Sequence, residues 1–336
     1  MKRIVHSIIF IAFCHSGFAQ VLPNLGGQRA GNAALSFLKI DVSPSSNALG
    51  GASVAMPGDG YAQYVNPALM AHMDTWNVSL STQQNGTGTQ QAWLSGIIPT
   101  KNAGAFGVSL DYFSSGEMDV RTEFQPLGTG QTMQATNYAI GLGYSKELSD
   151  MFKLGVNLKY IREDLAEYHA NAVVADLAFF YQTDWKNLAF AVMIQNFGGN
   201  SSLNGDYVES PFNRTSSGQA LENYGAPTIF RLGTTLDVLN KDPHRLIFAF
   251  ELQHPSDNAE NFRLGMEYRY KEIFFGRAGY KLNVEGQSLP TFGFGFRMMA
   301  GAHPLMLDYA AVPTNYMGFV HSVGLSFTFT KKESRE

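Results

Sequence analysis

The sequence has a single cysteine, few charged residues and no long apolar run after its first twenty or so positions. Cys14 has no second cysteine to pair with, which excludes a disulfide framework and a thiolate metal site. Charged residues make up 15% of the 336 positions, against roughly a quarter in ordinary soluble domains. The net charge of −4 provides no basic surface for nucleic acid, so nucleic acid is not an expected partner.

Catalytic and cofactor-binding motifs are missing as well. The sequence contains no HExxH, no GxSxG, no Walker loop and no complete GxGxxG. The best candidate for a metal site is an acidic stretch with Glu163, Asp164, Glu167 and His169, which we interpret as a solvated charge run in a surface loop. We therefore predict no enzymatic activity, no catalytic residues, no cofactor and no metal.

Residues 1–19 have the pattern of a secretory signal peptide: two basic residues, an apolar stretch over 4–13, and a small-x-small cleavage site ending at Ala19. The apolar stretch is too short to span a membrane. A lipoprotein would use Cys14 as its modified residue, but Phe13 stands where a small residue is needed. Export by cleavage after Ala19 is therefore the favoured interpretation.

What the sequence does contain is a series of segments, each about ten residues long, in which apolar side chains alternate with small or polar ones. Such a segment forms a strand with one apolar face, because successive side chains point to opposite sides. The even number of predicted strands, about fourteen, leaves both chain ends on one side of a barrel. The predicted strands are 76–84, 89–98, 102–113, 134–147, 151–163, 171–184, 187–197, 226–239, 244–254, 260–271, 273–282, 290–301, 303–311 and 319–330.

The connections alternate in length. Tight ones lie at 99–102, 147–151, 184–187, 240–243, 271–272 and 301–303. Longer ones lie at 114–133, 164–170, 198–225, 255–259, 283–289 and 312–318. Membrane barrels have brief periplasmic turns and extended outer loops, whereas a soluble sandwich has no reason to sort its loops by parity. The sequence therefore predicts an all-β protein: a transmembrane antiparallel β-barrel of about fourteen strands.

The strand faces opposite the apolar ones carry charged side chains. A soluble sandwich could expose them to water, but a membrane barrel places them in its lumen and turns its apolar side chains to lipid. We predict these lumen charges: Lys153, Lys159, Arg231, Glu251, Arg263, Glu267, Arg269, Arg277 and Arg297. For Glu251, Glu267, Arg263 and Arg269 a ladder of ion pairs between plug and wall is favoured over a binding site. The aromatics expected at lipid or at its interface are Trp76, Trp93, Tyr138, Tyr144, Tyr160, Phe274 and Tyr280.

Residues 20–75 do not alternate, and they are rich in small side chains. We predict that this segment is a plug inside the barrel 76–330, because side chains alone do not fill so wide a lumen. A disordered periplasmic leader is the alternative, and the apolar spacing within 48–56 and 65–70 argues against it. Residues 331–336 are expected to form a short periplasmic tail.

Particular stretches resemble known proteins. SSNALGGASVA followed by YVNPALMA, with an Asn-Pro-Ala motif at Asn66, Pro67 and Ala68, resembles the N-terminal hatch of FadL-like barrels. Five further stretches resemble, in order, the PorV/PorQ family: 141–168, QNFG at 195–198, 250–270, FFGRAGYK at 274–281 and HSVGLSFTF at 321–329. The resemblance covers nearly the whole mature chain and leaves the PorV-like and PorQ-like roles both open.

This resemblance implies a monomeric outer-membrane barrel of the type IX secretion system, working within a hetero-complex. Its implied partners are outer-membrane lipid, the translocon barrel, cargo C-terminal signal domains and proteins of the attachment complex. The alternative function is a FadL-type transporter of a hydrophobic small molecule, since a plug that shifts could open a path. An open diffusion porin is disfavoured because residues 20–75 would block the lumen.

Overall fold

The structure is a computed structural model that describes residues 33–58, 60–85, 88–100, 103–166, 168–204 and 223–330. The predicted signal peptide, the start of the predicted plug and the predicted tail at 331–336 lie outside the described residues. Most of the predicted connection 198–225 lies outside them too.

The described residues form a closed antiparallel barrel. Neighbouring strands pair along the chain. Strand β7 (Ala189–Phe197) pairs with β10 (Ile229–Lys241), and β1 (Trp76–Gln84) pairs with β16 (Gly318–Phe329) to close the cylinder. The short strands β8 (Asn200–Ser201) and β9 (Tyr224–Gly225) pair with each other beside it. The barrel strands are β1 (Trp76–Gln84), β2 (Gln90–Thr100), β3 (Gly104–Asp119), β4 (Thr132–Ser149), β5 (Phe152–Leu165), β6 (Tyr168–Gln182), β7 (Ala189–Phe197), β10 (Ile229–Lys241), β11 (His244–Pro255), β12 (Asn261–Tyr270), β13 (Phe274–Leu282), β14 (Thr291–Ala300), β15 (His303–Thr314) and β16 (Gly318–Phe329). The predicted fold, a fourteen-stranded antiparallel barrel, is confirmed.

Alternation along each strand separates an outer apolar surface from a polar bore. In β5 the small or polar residues Gly155 and Asn157 are buried, whereas Val156 and Leu158, which alternate with them, are exposed. The same outward face on β4 carries Leu142, whose exposed fraction is 60%. An apolar exterior around a charged interior is stable when hydrocarbon surrounds the cylinder, because lipid then solvates the exterior and the closed ladder leaves no unpaired backbone.

Two hairpins extend further than the sequence indicated. Strand β3 ends at Asp119 and β4 begins at Thr132, so the connection between them is shorter than the predicted 114–133. β5 and β6 pair up to Leu165 and Tyr168, where a loop over 164–170 was predicted. That prediction was wrong because polar side chains are compatible with a strand that has left the hydrocarbon.

The predicted charge run therefore lies largely within the β5–β6 hairpin. Arg162 Nε donates to both carboxylate oxygens of Asp164, at 2.9 and 3.1 Å. Glu167 lies outside the described residues. Within the described part of the chain, no group of three or more His, Cys, Asp or Glu side chains is arranged to hold a metal ion.

The two ends of the barrel differ. The chain enters β1 at Trp76 and leaves β16 at Phe329, and these two residues are cross-strand partners, so both lie at one end. The tight connections, such as 150–151 and 301–302, also lie at this end, which we term the short-turn end. The opposite end carries the connections 120–131, 198–228 and 283–290 and is termed the long-loop end. In outer-membrane barrels short turns face the periplasm and long loops face outward.

Residues 33–75, which we term the plug segment, run through short helical turns rather than strands. These turns are the 3-10 helix Ser36–Lys39, the α-helices Pro44–Ala48 and Ala62–Val65, and the 3-10 helix Pro67–His72. Pro44 begins its helix where a missing N–H costs nothing, and Ser43 Oγ accepts a hydrogen bond from Ser46 N at 3.3 Å. No helix among the residues described has the length and apolar character needed to cross a membrane.

Candidate functional site

The plug segment lies in the bore and contacts opposite sides of the wall. Helix Pro44–Ala48 packs against β14 and β15, whereas the 3-10 helix Pro67–His72 packs against β4 and β5. Because these strands are far apart around the cylinder, the segment crosses the bore from one wall to the other.

Hydroxyl groups of the wall hold the main chain of the plug segment. Ser81 Oγ donates to Val42 O at 2.6 Å, Thr235 Oγ1 to Ala55 O at 3.0 Å, and Thr291 Oγ1 to Ala48 O at 2.9 Å. Irregular backbone has no ladder of its own, so its buried carbonyls need such donors. The small polar residues on the bore face are therefore the binding partners of the plug segment.

The Asn-Pro-Ala motif forms a buried turn in the plug segment. Asn66 caps the 3-10 helix: its Oδ1 accepts from Ala68 N at 2.9 Å, and its Nδ2 donates to Val54 O at 2.8 Å. Pro67 occupies the first helical position, where its fixed φ is favourable. One asparagine side chain thus joins two distant parts of the plug segment.

Asn66→Ala is expected to lower the free energy of unfolding by about 1–3 kcal/mol, because the cap is lost and a buried carbonyl, Val54 O, loses its donor. The measurement is urea unfolding of the full chain in detergent or lipid vesicles. Asn66→Ser, which can still cap the helix, should lose less. Equal losses in the two variants would contradict the role of the cap.

Glycines in the wall allow the plug segment to approach the sheet closely. A Cβ atom on Gly155 of β5 would overlap the backbone of Pro67 and Ala68. A Cβ atom on Gly279 of β13 would overlap the backbone of Leu49 and of the residue after it. At both places main chain lies directly on main chain, so even one methyl group has no space.

The seam between the first and last barrel strands carries a cluster of polar side chains on its bore face. Asn77 Nδ2 donates to Ser326 Oγ at 3.0 Å, and Ser79 Oγ donates to the same hydroxyl at 2.9 Å. A Cβ atom on Gly60 of the plug segment would overlap all three of these side chains. The plug segment is therefore packed directly on the closing seam.

The central cluster consists of Arg231 on β10, Glu251 on β11 and the plug backbone at Ser53 and Val54. Arg231 Nε donates to Glu251 Oε1 at 2.6 Å, and both side chains are almost completely buried. Glu251 Oε2 accepts from Ser53 N and Val54 N, each at 2.9 Å. Arg231 also donates to Val65 O at 3.2 Å. This buried ion pair binds the plug segment to the wall.

The short-turn cluster is a second network, which joins wall residues to each other. Glu267 accepts from Arg269 Nε at 2.6 Å and from Arg277 Nε at 2.5 Å, and Arg277 also pairs with Asp308. Arg297 lies 3.7 Å from Glu272 and is partly exposed. The charges are balanced and hydrogen-bonded, which is the condition under which buried ions are tolerated.

The ladder of ion pairs that was predicted for four of the six lumen charges is therefore not one network. Glu251 hydrogen-bonds the plug segment, whereas Glu267, Arg269, Arg277 and Arg297 pair within the wall. Arg263 forms no ion pair among the described residues, and its Nε donates to Asn261 Oδ1 at 3.0 Å. We interpret all six as bore-lining groups with three different environments.

Sequence reasoning missed Asp308 and misplaced Trp93. Asp308 alternates with Leu307 and Tyr309, so the period-two pattern could have placed it in the bore. Trp93 was expected at the lipid interface, but its exposed fraction is 4% and its ring packs edge-on against Tyr64 at 5.6 Å. That prediction was wrong because Trp93 shares its face with the polar residues two positions away on either side and fills the bore beside the plug segment.

Burial in the bore shifts the pKa of three ionisable groups of the plug segment: His72, Asp41 and Tyr64, whose pKa burial raises. Desolvation lowers the pKa of His72 to about 4, so this imidazole is neutral at physiological pH. Desolvation raises the pKa of Asp41 above its usual value, while hydrogen bonds from the Ser46 hydroxyl and Ser43 N oppose that shift. The plug segment thus contributes few strongly solvated charges of its own.

A closed fourteen-stranded barrel with an apolar exterior and a segment packed in its bore defines a plugged barrel of the outer-membrane class. Solved structures of this fold are similar to the chain. The Pseudomonas putida toluene transporter TodX has a TM-score of 0.57 at 12% identity, covering 87% of this chain and 99% of that one. The CymD monoaromatic hydrocarbon channel has a TM-score of 0.56 at 13% identity, with coverage of 86% and 98%. The Ralstonia pickettii toluene transporter TbuX has a TM-score of 0.53 at 12% identity, with coverage of 85% and 97%.

The family is given by the sequence match. Residues 25–255 match the family model described as type IX secretion system protein PorV. This match covers more than half of the chain, and the chain belongs to the PorV family. The predicted family and the predicted outer-membrane location are confirmed. Curated proteins yield no significant match.

Proposed function

We propose that this barrel serves the type IX secretion system by binding the translocon barrel, cargo C-terminal signal domains or both, for secretion and surface attachment. Membership of the PorV family supports a role in type IX secretion. The plugged bore supports action through the surface of the barrel rather than through its lumen. The observation that carries the proposal is an apolar tip on the longest hairpin, β3–β4, at the long-loop end.

This tip is ordered yet exposes large apolar side chains. Two backbone hydrogen bonds continue the hairpin beyond the strands. Val120 N donates to Gln131 O at 2.9 Å, and Thr129 N donates to Val120 O at 2.8 Å. Phe124 and Leu127 at its tip have exposed fractions of 94% and 95%. Outer loops face water rather than lipid, and apolar side chains presented there are typical of protein–protein contact.

The test replaces both apolar side chains in the full-length protein, giving Phe124→Ser with Leu127→Ser. Co-purification of the translocon barrel or cargo from native outer membrane should fall on the order of tenfold or more, as for the loss of central interface residues. A matched control, Arg121→Gln with Glu123→Gln, changes the same loop without removing its apolar tip. Unchanged co-purification by the serine variant would contradict the role of this loop. Normal surface display of cargo in a deletion strain would contradict the function itself.

The alternative is transport of a hydrophobic small molecule. It draws support from the shared fold, because CymD is a monoaromatic hydrocarbon channel and TbuX and TodX are toluene transporters. At such low identity the similarity concerns the fold. The bore beside the plug segment is lined by Arg231, Glu251, Arg277 and Asp308, which fit poorly with a route for an apolar solute. Uptake of a labelled hydrocarbon that depends on the protein in vesicles would favour the transporter.

A further inference from the structure

A polar cavity lies at the long-loop end, between the plug segment, strands β7, β10, β11 and β12, and the loop that follows β13. Its volume is about 190 Å³, and its lining includes Arg263 with the amide side chains of Gln253, Asn258, Asn261 and Asn283. An adjoining hollow of about 310 Å³ is lined by Lys281 and shares Asn258 and Asn283 with the first. The two spaces therefore form one region in which Arg263, Lys281 and several amides converge. Lys39 and Arg231 also line it, but they are paired with Asp257 and Glu251.

Arg263 and Lys281 are direct cross-strand partners on the bore face of β12 and β13. Like charges placed directly opposite each other destabilise a sheet. Neither side chain has a carboxylate oxygen within 4.0 Å among the described residues, and Arg263 Nε is bonded to a neutral amide, Asn261 Oδ1. The two cations thus repel each other without an ion-pair partner in the described part of the chain.

The carboxylates nearest to this region are already engaged. Glu251 is bound by Arg231 and by the amides of the plug segment. Asp257 is paired with Lys39 Nζ at 2.5 Å. Asp41, which also lines the cavity, accepts hydrogen bonds from the plug segment itself. Glu285 is exposed on the loop at the rim. Each of the first three carboxylates therefore has another partner, and Asp41 and Glu251 attract the cations only from beyond ion-pair distance.

The plug segment fixes the position of Arg263. A Cβ atom on Gly51 would overlap the Arg263 guanidinium, so that group rests against the plug backbone. Gly51 also has a φ of +79°, a conformation in which a side chain is strained. The arginine is thus held in place by the plug segment before any ligand arrives.

We propose that Arg263 and Lys281 form an oxyanion site for a phosphate group that enters from the long-loop end. A planar guanidinium can bind two phosphate oxygens at once, an ammonium adds a point charge, and nearby amides donate further hydrogen bonds. Two adjacent cations match a doubly charged phosphate better than a single carboxylate. The cavity admits a phosphate with a few attached atoms, so the ligand is free phosphate or the phosphomonoester of a small group.

The experiment titrates the purified full-length protein in detergent with inorganic phosphate, at constant ionic strength set by chloride, using calorimetry. A second arm uses glycerol phosphate, which separates free phosphate from a phosphomonoester. We expect saturable binding in at least one arm. Arg263→Gln with Lys281→Gln should weaken it on the order of a hundredfold, because two charge-assisted contacts are lost. The matched control Lys186→Gln, at the short-turn end, should leave binding unchanged.

Two further measurements separate binding from folding. Without phosphate, the double variant should unfold at the same or a higher temperature than the wild type, because an unpaired repulsion is removed. Gly51→Ala should weaken phosphate binding while both cations remain. The proposal is overturned if the wild type shows no saturable binding of either ligand, or if the folded double variant binds as tightly as the wild type. This outcome is independent of secretion, so it leaves the proposed function untouched.

Discussion

Glu251→Leu is expected to lower the free energy of unfolding by about 3–5 kcal/mol, because Arg231 is left as an unpaired charge in the bore. The loss has a second source: Ser53 N and Val54 N both donate to the Glu251 carboxylate, and neither can be bonded by leucine. Urea unfolding in lipid vesicles measures the effect. Limited proteolysis should also cleave the plug segment faster, since its attachment to β11 is removed.

Two companion variants identify the cause of that loss. Glu251→Gln keeps an acceptor oxygen for the plug amides and should be less damaging than leucine. Adding Arg231→Met to Glu251→Leu removes the stranded charge and should restore part of the stability. Asp119→Asn, at an exposed pair with Arg121 far from this cluster, should change stability by less than about 0.5 kcal/mol. A Glu251→Leu protein as stable as the wild type would refute the central cluster as the plug attachment.

Gly155→Val is expected to displace the Asn-Pro-Ala turn from the wall and to produce a conducting barrel. The new side chain would occupy the position of the Pro67 and Ala68 backbone, and backbone yields far less readily than a flexible side chain. Planar bilayer recordings should show stable openings for the variant and none for the wild type. The heat stability of the folded barrel in detergent should fall in parallel.

Gly96→Ala is the matched control for that variant. Gly96 also lies in a barrel strand, but a Cβ atom there meets nothing within 4 Å. It should therefore neither open the barrel nor lower its stability. If Gly155→Val stays as closed and as stable as the wild type, the close contact between β5 and the plug segment is not what seals the bore.

The barrel was predictable because one repeating rule specifies it. Alternation identified every barrel strand, and β1 has the predicted bounds. Alternation of apolar and polar residues ends where a strand leaves the hydrocarbon. Polar strand ends such as those of β5 and β6 were therefore predicted as loops. The predicted location of Trp93 was wrong for a related reason, since an aromatic side chain fits lipid and a plugged bore equally well.

The sequence predicted which charged side chains lie in the bore, but not which partners they contact. Side-chain parity placed Glu251, Arg263 and Glu267 in the bore, but parity carries no information about which partner each one meets. Those partners come from strands and plug residues far apart in sequence, such as Ser53 with Glu251. That Arg263 has no ion pair within the described ranges depends on where the carboxylates lie in three dimensions, which no short sequence pattern encodes.

The seam over Gly60 has a consequence for biogenesis. The residues that close the cylinder, Asn77, Ser79 and Ser326, lie against a glycine that the chain reaches only sixteen positions before the first of the wall strands begins. Once β1 and β16 have paired, the seam leaves no opening through which the plug segment around Gly60 could enter the bore. It follows that the plug segment is already inside when the barrel closes and does not enter it afterwards.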